Sequence, residues 1–265
     1  MNEIEFEPIF FGRASETIER KIAESILDGK LKTGGRLPTE KEMARQFGVS
    51  LVTLREALRG LEIFGLIEKR KGQGGGVFVS EINSQSIKTA LGYFLTLHHL
   101  SAQHLYEVRK IIEPTMVRLA SQKITAEDIR KLEKNVSLCE EKLRSSRKHF
   151  TRKEFFDIDK DHIDFHRMIA ESTRNPVLSL TIDYVFDFLT ACEKDLLVPD
   201  FQYSAAAMEE HKRILHCIKK RDGAGCEKEM IRHLRSLDRY LRDIQKKPLP
   251  ARISWPLGTN LGKRK

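Results

Sequence analysis

Cysteine is scarce in this chain: four in 265 residues, at positions 139, 192, 217 and 226, with no pair at CxxC spacing. That usage argues for reduced thiols and a cytosolic protein, with Cys217 and Cys226 as packing residues. Long apolar runs are missing as well. No stretch approaches the ~20 apolar residues that a bilayer span requires, and MNEIEFEPIF at the start has neither a basic head nor an apolar core, which argues against a membrane enzyme. Acidic residues are in deficit, 38 Asp+Glu against 47 Lys+Arg, and the net charge of +9 favours an anionic partner. The excess is concentrated, since Lys30–Lys71 holds ten Lys/Arg and five Glu.

Within that basic segment, Leu37–Phe64 (LPTEKEMARQFGVSLVTLREALRGLEIF) reads as two short helices joined by a tight turn. Thr39 and Glu42 have capping-box spacing, which predicts a first helix over Lys41–Phe47. Gly48 stops it, and Ser50 is placed to cap a second helix through the N–H of Val52 or Thr53. In that second helix Leu54, Ala57, Leu58 and Leu61 fall at i, i+3, i+4 and i+7 and form the buried stripe. Leu51, Val52, Thr53, Arg55, Glu56 and Arg59 are left on the other side, where the amino-terminal turn can enter a DNA groove. Upstream, Ile18, Ile22 and Ile26 predict a helix over Ser15–Leu27, and Gly34, Gly35 and Pro38 keep the intervening chain extended.

After the second motif helix, Leu66–Lys69 and Val77–Val79 read as two strands around KRKGQGGG. Four glycines among residues 72–76, behind Lys69, Arg70 and Lys71, describe a hairpin tip with basic shoulders. A phosphate-cradling nucleotide loop is disfavoured, because no helix start follows the glycines and the Lys-Ser/Thr pair is missing. Taken together, ILDGKLKTGGRLPTEKEMARQFGVS, TLREALRGLEIFGLIEKRKGQGGGVFV and their spacing resemble the winged-helix domain of the GntR family of bacterial transcription regulators. The resemblance implies DNA contacts at Arg36, Lys41, Ser50, Thr53, Arg55, Lys71 and Gly72. It also marks a departure at Leu51, where most members carry an arginine that reads guanine; leucine offers only apolar contact there.

Residues 81–86 (EINSQS) are polar and short and are expected to be a linker between a DNA-binding domain at 11–80 and a second domain at 87–245. The second domain shows no period-two alternation. Capping sequences at Ser101 and Thr125, stripes at Val108, Ile112, Thr115 and Leu119 and at Ile129, Leu132, Val136 and Leu143, and breaks at Asn175-Pro176, Pro199-Asp200 and Asp222-Gly223 predict an antiparallel bundle of six or seven helices. Residues 246–265, with KKPLPAR and GKRK, read as a basic disordered tail. The expected fold is therefore mainly α, a winged helix-turn-helix with a small β-hairpin followed by a helical bundle.

Four of the nine histidines are suggestively placed. His162 and His166 stand four apart on one predicted helix, with His211 and His233 on two others. Imidazoles four apart share a helix face and can reach one ion, and a set of nitrogen donors suits a divalent transition metal. Hydrogen-bonded core histidines with no ion are the plainer alternative. VRKIIEPTMVRLA, HIDFHRMIAESTRNP and EHKRILHCIKKRDGAGCEKEMIRHL are similar to the FadR-type effector-binding (FCD) domain of the same family. That resemblance implies a metal, Zn, Ni or Mn, at His162, His166, His211 and His233. The first of these is usually aspartate, and Asp159 on the same predicted face could take its place. Arg109, one turn before Glu113, is either half of a structural pair or an anchor for an effector carboxylate.

A one-component transcription regulator is the expectation: a homodimer on a pseudo-palindromic double-stranded operator, responding to a small organic acid held through a metal ion, with no membrane partner and no enzymatic activity. Two rivals remain, a regulator for which the ion itself is the signal and a histidine-site metalloenzyme with a DNA-targeting domain.

Overall fold

The structure, a computed structural model, describes residues 14–72, 74–80, 88, 91–92, 94–95, 100–147 and 149–244. The expected linker at 81–86 and tail at 246–265 lie outside the described residues. Contacts divide the chain into two compact units whose boundary along the sequence falls between Leu91 and Gly92.

The first unit is a winged helix. Helix α1 (Ala14–Leu27) is followed by α2 (Glu40–Phe47) and α3 (Leu51–Ile63), then by strands β1 (Ile67–Arg70) and β2 (Gly76–Val79). The capping box forms as its sequence requires: Glu42 N–H donates to Thr39 Oγ1, and the Glu42 carboxylate accepts from Thr39 N–H at 2.8 Å. Gly48 closes α2 in the left-handed conformation at φ +67°, a region a residue with a Cβ enters only at a cost. Ser50 Oγ then accepts from Thr53 N–H at 3.1 Å to start α3. Leu54, Ala57, Leu58 and Leu61 are buried against Ile18, Ile22, Met43, Ile67 and Val79. The two strands pair antiparallel from Ile67 opposite Val79 to Arg70 opposite Gly76. The chain before α2 is irregular, as expected: Gly34 lies in a turn at φ +76° closed by Gly35 N–H donating to the Lys32 carbonyl, and the extended residues after it hydrogen bond to the sheet, Leu37 N–H donating to the Val77 carbonyl at 2.8 Å and Val79 N–H to the Gly35 carbonyl at 2.9 Å.

The second unit is helical: α4 (Ala102–Lys123), α5 (Ala126–Ser146), α6 (Arg152–Ser172), α7 (Pro176–Leu196), α8 (Phe201–Lys219) and α9 (Gly223–Ile244) are its long helices among the described residues. Capping boxes start α4 at Ser101 and α5 at Thr125, and a third, Thr151 with Glu154, starts α6. Helix α4 packs on α9 and α6, and α5 packs on α6 and α8. One expected stripe is displaced. Val108, Ile112 and Leu119 of α4 are only half-buried and Thr115 is exposed, whereas Leu105, Arg109, Glu113, Met116 and Ala120 form the buried line. Hydropathy misses that face because two of its five residues are charged and paired with each other. No helix among the described residues is long and apolar enough to cross a membrane.

Thr39→Ala removes the acceptor at the start of α2 and is expected to cost the winged helix about 1 kcal/mol, read as faster amide hydrogen exchange across α2. Leu58→Ala, in the centre of that core, is expected to cost roughly 2–5 kcal/mol by the same measurement.

Candidate functional site

Two sites are assembled, one in each unit. In the winged helix, Ser50, Thr53 and Arg55 occupy the first turns of α3. Arg55 is exposed and its Nε donates to Glu40 Oε2 at 2.7 Å, which holds the guanidinium against the start of α2. Val52 is the most open apolar side chain of this turn at 76% exposure. Leu51, placed by periodicity on the outer face, is instead half-buried and packs on the winged-helix core. The helix turns it inward because Leu51 lies one turn before Leu54 and Arg55, at the edge of the buried stripe. Lys41 and Lys71 are exposed, and Gly72 takes φ +91° at the wing. Arg36 does not stand free: its Nη2 donates to the Gly75 carbonyl at 2.6 Å, so the arm before α2 is fastened to the wing. Gly76 takes φ +150°, a conformation that favours glycine, and a Cβ there would lie 2.9 Å from Arg36 Nε and make that side chain shift. Arg70 lies over the Phe78 ring at 4.3 Å from its centre, fixing one basic shoulder.

In the helical unit the structure brings His166 of α6, His211 of α8 and His233 of α9 together, with one nitrogen from each lying within 4.8 Å of the others. His166 Nε2 and His233 Nε2 are 3.2 Å apart. His162 is beside this group and outside it: its Nδ1 faces His211 Nδ1 at 3.3 Å, and its Nε2 faces Cys139 Sγ of α5 at 4.0 Å. All four rings are buried. Asp159 borders the same cavity of about 30 Å³ as Arg109, His162, His166 and His233, but it does not join the converging nitrogens. Asp161, next to His162 in sequence, turns away and accepts from Lys142 Nζ at 2.6 Å.

Carboxylates stand behind two of the three converging rings. Glu113, with no exposure, places Oε2 at 2.6 Å from His166 Nδ1 and Oε1 at 2.5 Å from Arg109 Nε. Glu210 places Oε2 at 2.9 Å from His233 Nδ1 and accepts from Ser236 Oγ at 2.6 Å. A carboxylate on Nδ1 fixes the tautomer in which that nitrogen carries the proton and Nε2 is a free lone pair. Arg109 pairs with Glu113 and its guanidinium also lies over Phe186 at 4.5 Å, so the structural pair exists while the arginine still lines the cavity.

The electrostatics keep His162, His166 and His211 neutral. Burial lowers the His166 pKa to about 4, with Glu113 opposing, and burial with the neighbouring His233 and His166 lowers that of His162 to about 3. Burial also sets His211 well below its ordinary value. Burial pushes Glu113 upward, yet Arg109 and His166 prevail and hold it at about 2. Neutral imidazoles are the form that binds a metal. The residues present fit a divalent transition ion on a further observation: His211 Nε2 is buried and no hydrogen-bond partner reaches it among the described residues, the expected state of a lone pair reserved for an ion. Sequence reasoning found the histidines and missed the two glutamates as their supports. Glu113 is visible in sequence only as the partner of Arg109, and Glu210 adjoins His211 in sequence yet serves His233 on another helix. Among the described thiols, Cys226 and Cys139 are buried and Cys217 is half-buried.

Comparison with known proteins agrees with both halves. Residues 14–79 match the family described as bacterial regulatory proteins, gntR family, and residues 104–236 match the FCD domain. The HTH-type transcriptional regulator YcbG of Bacillus subtilis is 32% identical over 235 residues, covering 88% of this chain and 92% of that protein. The HTH-type transcriptional repressor NanR of Klebsiella aerogenes is 27% identical over 250 residues, covering 92% of each. Among solved structures, a GntR protein of Streptococcus agalactiae superposes with a TM-score of 0.62 at 21% identity, covering 85% of this chain and 99% of that one, and so shares the fold. These relatives are regulators and not enzymes, which sets aside the metalloenzyme rival. With a winged helix-turn-helix joined to an FCD domain, the chain belongs to the GntR family of bacterial transcription regulators.

Proposed function

We propose that this regulator binds a pseudo-palindromic operator as a homodimer and that its FCD domain holds a divalent transition ion, Zn, Ni or Mn, through which it senses a small organic acid. The observation that carries the metal is the convergence of three buried imidazoles with an unpartnered His211 Nε2 among them. His166, His211 and His233 would hold the ion. Bound there, the ion supplies a positive centre for a carboxylate, and Arg109 on the same cavity wall adds a second positive group. The cavity, about 30 Å³, has room for about one water, so an acid effector must move the side chains that close it. Such a movement is what an effector has to produce if it is to change affinity for DNA. Elemental analysis and mass spectrometry of the protein purified without chelator test the reading directly. An ion that is itself the signal would leave under buffered trace metal, whereas an ion that serves as the effector's anchor stays.

On the DNA side, two α3 helices of a dimer present Ser50, Thr53 and Arg55 to successive major grooves, with Lys41, Arg36 and the Lys71–Gly72 wing tip at the flanking backbone. Leu51 has little surface left for a base, and Val52 offers the apolar contact of this turn.

Arg55→Ala is expected to lose about 1–3 kcal/mol of operator affinity and to relax sequence preference. Lys71→Ala should weaken binding on all duplexes alike and flatten its salt dependence. Fluorescence anisotropy over a salt series separates the two, and an unchanged operator affinity for Arg55→Ala would refute the recognition-helix assignment. His166→Ala and His233→Ala should each lower metal content and effector affinity together while the isolated fold of the winged helix, followed by amide exchange, stays the same.

Acid should destabilise the metal-free helical domain. Unfolded histidines take up protons near pH 6.5, while His166 and His162 in the folded chain do so only near about 4 and about 3. The unfolded state therefore binds more protons across that interval, and stability, complete above about pH 6.5, falls as pH drops toward 4. Thermal midpoints in chelator at pH 7.5, 6 and 5 should decrease in that order; a flat series would contradict neutral, buried rings.

A further inference from the structure

We infer that His162 is a positioning residue for His211 and not a metal ligand, so that the ion of the FCD domain is held by three imidazoles. This inference rests on the metal reading above.

The three converging rings are supported in two different ways. His166 has Glu113 at Nδ1 and His233 has Glu210 at Nδ1, each leaving Nε2 toward the centre. His211 has no carboxylate. In the equivalent place, at 3.3 Å from its Nδ1, stands Nδ1 of His162. Two neutral imidazoles joined through these nitrogens have two arrangements. If His162 donates, His211 carries its proton on Nε2, and a buried N–H is left with no acceptor among the described residues, which is costly. If His211 donates, its Nε2 becomes a free lone pair on a ring centred 5.0 Å from that of His166 and 4.7 Å from that of His233, and the single proton of His162 sits on Nε2. That proton then has a neighbour, Cys139 Sγ at 4.0 Å, a weak acceptor. With an ion present only the second arrangement serves, and both nitrogens of His162 are then spent: one accepts from His211 and the other faces Cys139. No lone pair of His162 remains for the metal.

Geometry independently says the same. One nitrogen from each of His166, His211 and His233 lies within 4.8 Å of the others, and none of His162 completes a group of four. Its ring stands edge-on to His211 at 4.8 Å between centres, while Phe165 stacks face to face on His211 at 4.2 Å. Phe165 and His162 thus clamp His211 in one orientation from two directions. With no carboxylate among the ligands, the bound ion keeps its full double charge and retains positions for an anionic ligand.

Paramagnetic proton NMR of the Co(II)-loaded full-length protein counts the ligands, because each coordinated imidazole contributes one strongly shifted, exchangeable ring N–H resonance. Three are expected in the wild type, three again in His162→Gln, with one of them displaced as the partner of His211 Nδ1 changes. Chelator competition should show His162→Gln, whose amide oxygen can still accept, weakening Co(II) binding less than His162→Leu, and both within about 10–100-fold. His211→Ala should lose stoichiometric uptake. Circular dichroism confirms that each variant is folded, and His162→Gln alone suffices should His162→Leu fail to fold. Four shifted N–H resonances in the wild type, or loss of one in His162→Gln, would overturn the inference while leaving the metal reading intact. No uptake of Co(II) by the wild type would overturn both.

Discussion

Glu113 is a carboxylate with no exposure to water, and the centre of the helical domain is built on the terms it sets. Burying its charge alone would be prohibitive, so α4 also carries Arg109 one turn earlier, and the two pair at 2.5 Å. The pair leaves one carboxylate oxygen for His166, which in turn fixes the nitrogen that faces His233. Removing either charged partner would strand the other in an apolar bundle, a loss of order 3–5 kcal/mol. The polar core is thus a connected set in which the position of each member depends on the next.

The two domains reach stability by different routes. The winged helix relies on local chemistry, with caps at Thr39 and Ser50, a left-handed Gly48 and an apolar core of isoleucine and leucine. Its cations stand at the surface, where their pairing contributes little to folding and leaves them for a polyanion. The helical domain packs Phe165 and Phe186 of its apolar core against a charged and imidazole-rich centre. Dry walls make the contacts inside stronger and hold the histidines neutral. On the proposed reading this is what the domain is for: an ion held by neutral rings in a closed space answers to an anion that can enter it.

The helix-turn-helix was legible almost to the residue because each of its signals is local. A capping box, a helix-ending glycine and a 3.6-residue stripe act within a turn or two, and no distant contact has to be known. The departures have physical reasons. Leu51 fell at the margin of the buried stripe, and periodicity cannot decide a marginal position without the core that α1 supplies. On α4, apolarity pointed to Val108, Ile112 and Leu119, whereas the buried face runs through Arg109 and Glu113, since a charge that finds its partner can be buried and hydropathy has no way to register the partner.

The sequence by itself determined the order of helices, the basic winged motif and the four histidines, as these follow from residue type and spacing along one chain. Tertiary structure alone decided their relations. It placed His211 of α8 between His162 and His233, set Glu210 behind a histidine 23 positions away, and brought Cys139 to His162. Residues four apart on a helix share a face but not a target, and which nitrogen of each ring faces the centre depends on groups contributed by other helices. That is why spacing identified four candidate ligands, while packing brought three of them together.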